Sequence, residues 1–167
     1  MAELTPSERL QPSLLDRLTD DEPLASQEPR SRRVLSIQRL RESVLRDLGW
    51  LLNTTNMADD TLADRMPNVA QSVLNYGLPD LAGLTSSSIN VGELERLVLQ
   101  AIWDFEPRIL RHTLKVVART NEDTMNLNAL VFEITGELWA QPVPLELFLK
   151  TEVDLESGDI VVTEMGR

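Results

Sequence analysis

The nine residues IWDFEPRIL, Ile102–Leu110, set a Glu-Pro-Arg triplet between two apolar runs. In the twenty residues that lead up to Phe105, Val91, Leu94, Leu97, Val98, Ala101, Ile102 and Phe105 recur at helical spacing and share one face. Asn90 with Glu93 three residues on is a helix-start signature, because the Asn side chain accepts from the first free amides. Pro107 lacks the amide that would continue the ladder and disfavours the helical conformation at Glu106, so the helix is predicted to end near Phe105. Beyond the triplet the period falls to about two. Leu110, His112, Leu114, Val116 and Ala118 alternate with polar residues, as do Leu130, Phe132, Ile134 and Leu138, and then Leu145, Leu147, Leu149 and Val153. A last strand, DIVVTE, follows through ESGD, whose glycine suits a hairpin turn. Pro142 and Pro144 mark the bend between the second and third strands. Helices followed by a meander predict an α+β fold, with N-terminal helices packed on a C-terminal antiparallel β-meander.

Upstream, Val34–Asn53 carries Ile37, Leu40, Val44, Leu48, Leu51 and Leu52 as one helical stripe, with Trp50 off it. NVAQSVLNYG, residues 68–77, is predicted as a short helix with Val69, Val73 and Tyr76 on one side and a glycine cap. GLPDLAGL, residues 77–84, reads as a buried connection. Residues 1–33 are rich in Pro, Ser and charge and cannot bury enough surface to order alone. Within them PSLLDRL places Leu14, Leu15 and Leu18 at helical spacing. The expected organisation is a flexible arm over 1–33 with a docking helix at 13–18, then a single domain over 34–167. The helix packs either on its own domain or on a partner.

The chain has 167 residues, no cysteine and a net charge of -11. Disulfides and thiolate metal sites are thereby excluded. No run approaches the roughly 20 apolar residues that span a bilayer, and the first residues lack a basic-then-apolar leader pattern, so a soluble, cytoplasmic protein without membrane insertion is expected. The negative charge opposes binding to polyanions, and no nucleic-acid partner is expected. One stretch departs from it. Residues 30–46 hold Arg30, Arg32, Arg33, Arg39, Arg41 and Arg46 against Glu42 and carry +5, leaving -16 elsewhere. That stretch reads as the solvated face of a helix, the alternative being an acidic-partner or nucleic-acid surface.

Catalytic chemistry finds little support. A single imidazole without a thiol does not build a zinc site, and His112 reads as a core or edge histidine of a strand. Ser86–Ser88 with His112 lack any nucleophile motif, and the seven glycines form no phosphate loop. A glycosidase pair, Glu106 with Glu133 or Glu137, is the serious enzymatic alternative. Arg108 is the wrong neighbour for a proton donor, and only 4% of the chain is aromatic, poor for a carbohydrate cleft. No catalytic residue, metal or cofactor is therefore expected.

In an extended junction Glu106 and Arg108 project to the same side, offering a carboxylate and a guanidinium fork on a rigid mount. They form either an intrachain brace, Glu106 to a strand arginine and Arg108 to a helix carbonyl, or a contact for another protein. In the contact reading, Arg108→Ala spares the isolated fold.

SLLDRL at 13–18, SVLRDLGWLLNT at 43–54, NYGLPDLAGL at 75–84 and FEPRI at 105–109 together resemble the TssE baseplate subunits of bacterial type VI secretion systems. More broadly they resemble the phage sheath-initiating baseplate proteins, a gpW-like family once labelled lysozyme-like. The resemblance implies a non-enzymatic structural part of a contractile machine, with baseplate wedge subunits and sheath subunits as partners. It implies that Glu106, Pro107 and Arg108 form a baseplate contact, with Leu14, Leu15 and Leu18 docking on wedge subunits. It implies too that terminal strands start the sheath by β-strand addition, a step open to any uncovered sheet edge. The alternative implied by the old label is a peptidoglycan-cleaving enzyme.

Overall fold

The computed structural model describes residues 13–19, 36–57, 61–81, 90–119, 129–140 and 144–165. Among the described residues the α-helices α1 (Leu14–Leu18), α2 (Ile37–Leu52), α3 (Leu62–Arg65), α4 (Pro67–Ala70) and α5 (Val91–Phe105) precede four strands. These are β1 (Lys115–Arg119), β2 (Ala129–Leu138), β3 (Leu145–Asp154) and β4 (Ile160–Glu164), paired antiparallel in the order β1-β2-β3-β4. The fold is α+β, as the change of period predicts.

Helix α2 starts at Ser36, whose hydroxyl accepts the Arg39 amide, and it buries Leu40, Val44, Leu48, Leu51 and Leu52. Ile37 belongs to the same sequence stripe yet is 51% exposed. Helix α5 is capped by Asn90, which accepts the Glu93 amide, and it buries Leu94, Val98, Ala101 and Ile102. Both helices lay these stripes on one face of the sheet. Phe132, Ile134 and Leu138 of β2 and Leu147, Leu149 and Val153 of β3 meet them, all nearly inaccessible. Thr151 lies in that face too, and its hydroxyl donates to the Phe132 carbonyl, which satisfies a polar group in the core. The opposite face carries Lys115, Glu133, Lys150 and Glu152.

Two local expectations are corrected. Residues 68–77 form no continuous helix: α4 stops at Ala70 and a separate 3₁₀ turn covers Val73–Asn75. Asn75 explains the break, since its side chain donates to the Ala70 carbonyl and accepts the Met57 amide. Val73 consequently lies 80% exposed instead of packed. The first strand also begins later than predicted. Residues 111–113 form a turn and His112 is exposed, so it is neither a core nor a strand histidine.

Two turns depend on glycine. Gly77 has φ 118°, and the next amide, Leu78 N, donates to the Thr54 carbonyl at 2.8 Å. Gly158, φ 81°, closes the β3–β4 hairpin where the sequence places it. Leu78 and Leu81 of the apolar connection are buried, while its residues 82–84 lie outside the described residues.

Candidate partner-binding site

The Glu-Pro-Arg triplet sits where α5 hands the chain to the sheet. Glu106 is the last cap of α5, its amide donating to the Ile102 carbonyl. Arg108 and Leu110 are held to the end of β2, with Trp139 N donating to Arg108 O at 2.7 Å and Leu110 N to Glu137 O at 2.8 Å. The backbone is thus fixed on both sides of Pro107.

The side chains close on one another. Glu106 is 4% exposed, and its carboxylate accepts the Arg108 amide at 3.1 Å and Arg108 Nε at 2.7 Å, with Nη2 donating to the second oxygen. The rest of the fork reaches across to α2: Nη2 donates to Asp47 Oδ2 at 2.6 Å and Nη1 to Ser43 Oγ at 3.1 Å. Burial opposes the charge on Arg108, but hydrogen bonds and attraction from Glu106 and then Asp47 outweigh it and hold its pKa above the ordinary value. The carboxylate and the guanidinium do project to the same side, but their partners differ from the sketched brace. Glu106 meets Arg108 itself, and Arg108 meets side chains of α2 instead of a helix carbonyl.

From Asp47 the alternation of charge continues outward. Arg46 Nε donates to Asp47 Oδ1 at 2.9 Å and Nη1 to Asp16 Oδ1 at 2.8 Å, and its guanidinium lies 5.2 Å from the centre of the Trp50 ring. Asp16 in turn closes a capping box with Ser13 at the start of α1. Burial raises the Asp16 pKa, yet the Ser13 hydroxyl and Arg46 together bring it below the usual 3.8. The Arg46 pKa is raised against its own burial by Asp16 and Asp47. One chain of ion pairs therefore joins α5, α2 and α1.

Around this chain an open groove of about 310 Å³ is lined by Ser13, Trp50, Tyr76, Phe105 and the triplet, with Asp47 and Leu51. Tyr76 packs edge-on against Phe105 at 5.1 Å. Burial, then Asp47 and Glu106, raise the Tyr76 pKa, so its hydroxyl stays protonated. Pro107 is exposed, Trp50 is 53% exposed, and the Arg108 side chain is 23% exposed. Helix α1 turns Leu14 and Leu18 outward, 73% and 74% exposed, with Leu15 at 41%.

Neither Glu133 nor Glu137 is brought to Glu106 as a glycosidase pair: its carboxylate is held by Arg108, while both strand glutamates lie on the other face of the sheet, Glu133 paired with Arg119. Ser86–Ser88 lie outside the described residues, as do Arg30, Arg32 and Arg33. Of the basic stretch, Arg41 pairs with Glu164 and Arg46 with Asp16 and Asp47. Among the described residues no group of His, Cys, Asp and Glu is placed to hold a metal, and no helix is long and apolar enough to cross a membrane.

The sequence profile of the baseplate wedge protein gp25 family matches residues 38–143, more than half of the chain, from the second residue of α2 to beyond the end of β2. The chain belongs to this family. It is the family of the TssE-like type VI baseplate proteins, structural proteins that assemble with other baseplate proteins. Neither the curated proteins nor the solved structures compared with the chain give a match.

Asp47, Ser43, Trp50 and Tyr76 are not among the site residues expected from the sequence, and Arg46 enters there only as part of the basic stretch 30–46. One signal was present, because Ser43 is a polar residue inside the apolar stripe of α2, and it is 5% exposed. Its hydroxyl donates to Leu40 O and accepts from Arg108, so the stripe needed a polar partner there.

Proposed function

We propose that this chain is a structural baseplate component of a contractile type VI secretion machine that joins wedge subunits to the sheath and starts sheath polymerisation by strand pairing. The observation that carries this reading is the family match over residues 38–143, which contains the whole clamp of Glu106 and Arg108 on α2. In this reading residues 1–33 are an arm and 34–167 the domain. The clamp orients the contact surface, and the partner touches what lies outside it: Pro107, Trp50, the open flank of Arg108, and Leu14, Leu15 and Leu18 of α1. The exposed leucines favour docking, because α1 meets α2 through Asp16 and Arg46 and leaves its apolar side uncovered. The protein acts in the cytoplasm and breaks no bond.

The test is affinity capture of the tagged chain from its own cells. Wild type retains wedge and sheath proteins. Replacing Trp50 by Ser together with Pro107 by Ala removes the wedge proteins while shifting the melting temperature by no more than about 4 °C. Capture without either class of protein overturns the reading. So does turnover of peptidoglycan by the pure protein that is lost in Glu106→Gln.

A further inference from the structure

The two edges of the sheet are not equivalent. In β4 the residues that direct their amide and carbonyl away from β3 are Ile160, Val162 and Glu164, since Met165 N donates to Phe148 O and Asp154 N to Asp159 O. Ile160 is closed on both groups: its amide donates to Asn53 Oδ1 and its carbonyl accepts from Asn53 Nδ2, each at 2.8 Å. At the far end Arg41 of α2 binds the Glu164 carboxylate at 2.7 Å and the Glu146 carbonyl at 3.1 Å. Helix α2 is thus tied along this edge at both ends. Asn53 also caps α2, with Nδ2 on Gly49 O at 2.7 Å, so freeing Ile160 disturbs the helix end.

The β1 edge is held by less. Ala118 N donates to Glu95 Oε1 of α5 at 2.7 Å, which shows that Val116 and Ala118 direct their backbone groups outward. The carboxylate oxygen sits where the carbonyl of an added strand belongs. One side-chain rotation of Glu95 vacates it without disturbing the helix backbone. Val116 lies two residues away with both backbone groups on the same side, and no side chain among the described residues closes them.

Charge separates the edges further. The approach to β1 and β1 itself hold Arg111, Lys115 and Arg119 with no acid from 107 to 121, whereas the β4 side holds Glu152, Asp154, Glu156 and Asp159 beside the Arg41-paired Glu164, with no base from 151 to 166. Lys115, Val117 and Arg119 line the exposed face of β1. Among the described residues Arg119 pairs with Glu133, the arginine side chain well exposed.

Resting on the strand-pairing reading above, we infer that β1 is the acceptor edge and that its partner is an extended segment alternating acidic and apolar residues, whose carbonyl displaces Glu95 from Ala118. The acids of such a strand lie across from Lys115 and Arg119, with the apolar residue between them against Val117. The β4 edge repels it.

The experiment compares a matched pair of edge prolines, Val116→Pro and Val162→Pro. Each removes an outward amide, leaves the ladder to the inner strand intact and replaces a partly buried valine. The probe is a capped peptide alternating glutamate and valine, with a lysine–valine peptide as control. In the wild-type full chain the acidic peptide slows amide exchange at Val116 and Ala118 by about tenfold or more and leaves Val162 unchanged. Glu95→Ala speeds Ala118 exchange without peptide and tightens peptide binding. With sheath subunits, Val116→Pro abolishes nucleation and Val162→Pro preserves it. The reverse result overturns the edge assignment while strand pairing survives. Nucleation in both folded variants overturns strand pairing itself. If Val116→Pro does not fold, the wild-type exchange pattern decides, and protection at Val162 or at neither edge rejects the inference.

Discussion

Arg108 forms a two-pronged ion pair with a carboxylate that is almost wholly buried, that of Glu106, and ties it to Asp47 on another helix. Removing the guanidinium leaves a buried charge without its main partner, so Arg108→Ala is expected to cost roughly 3 kcal/mol. The isolated fold is therefore expected to be weakened, and loss of sheath assembly in that variant would not by itself separate brace from contact. Chemical denaturation of the single and double variants with Glu106→Gln checks this. Their effects should fall short of additivity by more than about 1 kcal/mol. Independent, additive effects exclude the clamp.

Asn53 does for Ile160 what a neighbouring strand would, and it caps α2 with the same side chain. Asn53→Ala removes these bonds and is expected to cost about 2 kcal/mol. Hydrogen exchange at Ile160 should accelerate well before global unfolding. Unchanged exchange there shows that the amide is protected by something else.

Gly77 and Gly49 make an opposed pair. At Gly77 an added Cβ meets the Thr54 carbonyl oxygen at 2.0 Å and the backbone is left-handed, so Gly77→Ala is expected to lose about 3 kcal/mol or fail to fold. At Gly49, inside α2, a Cβ meets nothing within 4 Å. Gly49→Ala should stabilise by about 0.5–1 kcal/mol. Thermal melts of the two variants moving in the same direction contradict this.

Acid should release α1. The Asp16 pKa is lowered in the folded chain, so its contribution is complete above the ordinary value of 3.8 and is lost as pH falls below that value and through the folded one. Asp16→Asn should release α1 at neutral pH. A spin label on α1 read against α2 reports both, and a label distance that is constant through the acid range and in Asp16→Asn rules the tether out.

The order of elements followed from local chemistry. Asn90 with Glu93 begins α5, Pro107 ends it, and alternation then marks β2, β3 and β4. Each of these signals acts within a few residues, which is why the sequence displays it. The errors share a cause as well. Val73 and His112 fit a period, yet the chain turns at those points because Asn75 reaches back to Ala70 and Met57, and because the Thr113 hydroxyl oxygen accepts the Glu137 amide.

By itself the sequence determined the α+β class, the helix break at the triplet and the resemblance that named its family. It could not determine who pairs with whom. Arg108 meets Asp47 across 61 positions of chain, Asn53 meets Ile160 across 107, and Arg46 meets Asp16 across 30. Only the tertiary structure makes those distances small, by laying α2 beside both the end of α5 and the outer edge of β4. Whether a charge faces inward or outward is set by that packing, and no local pattern of residue types encodes it.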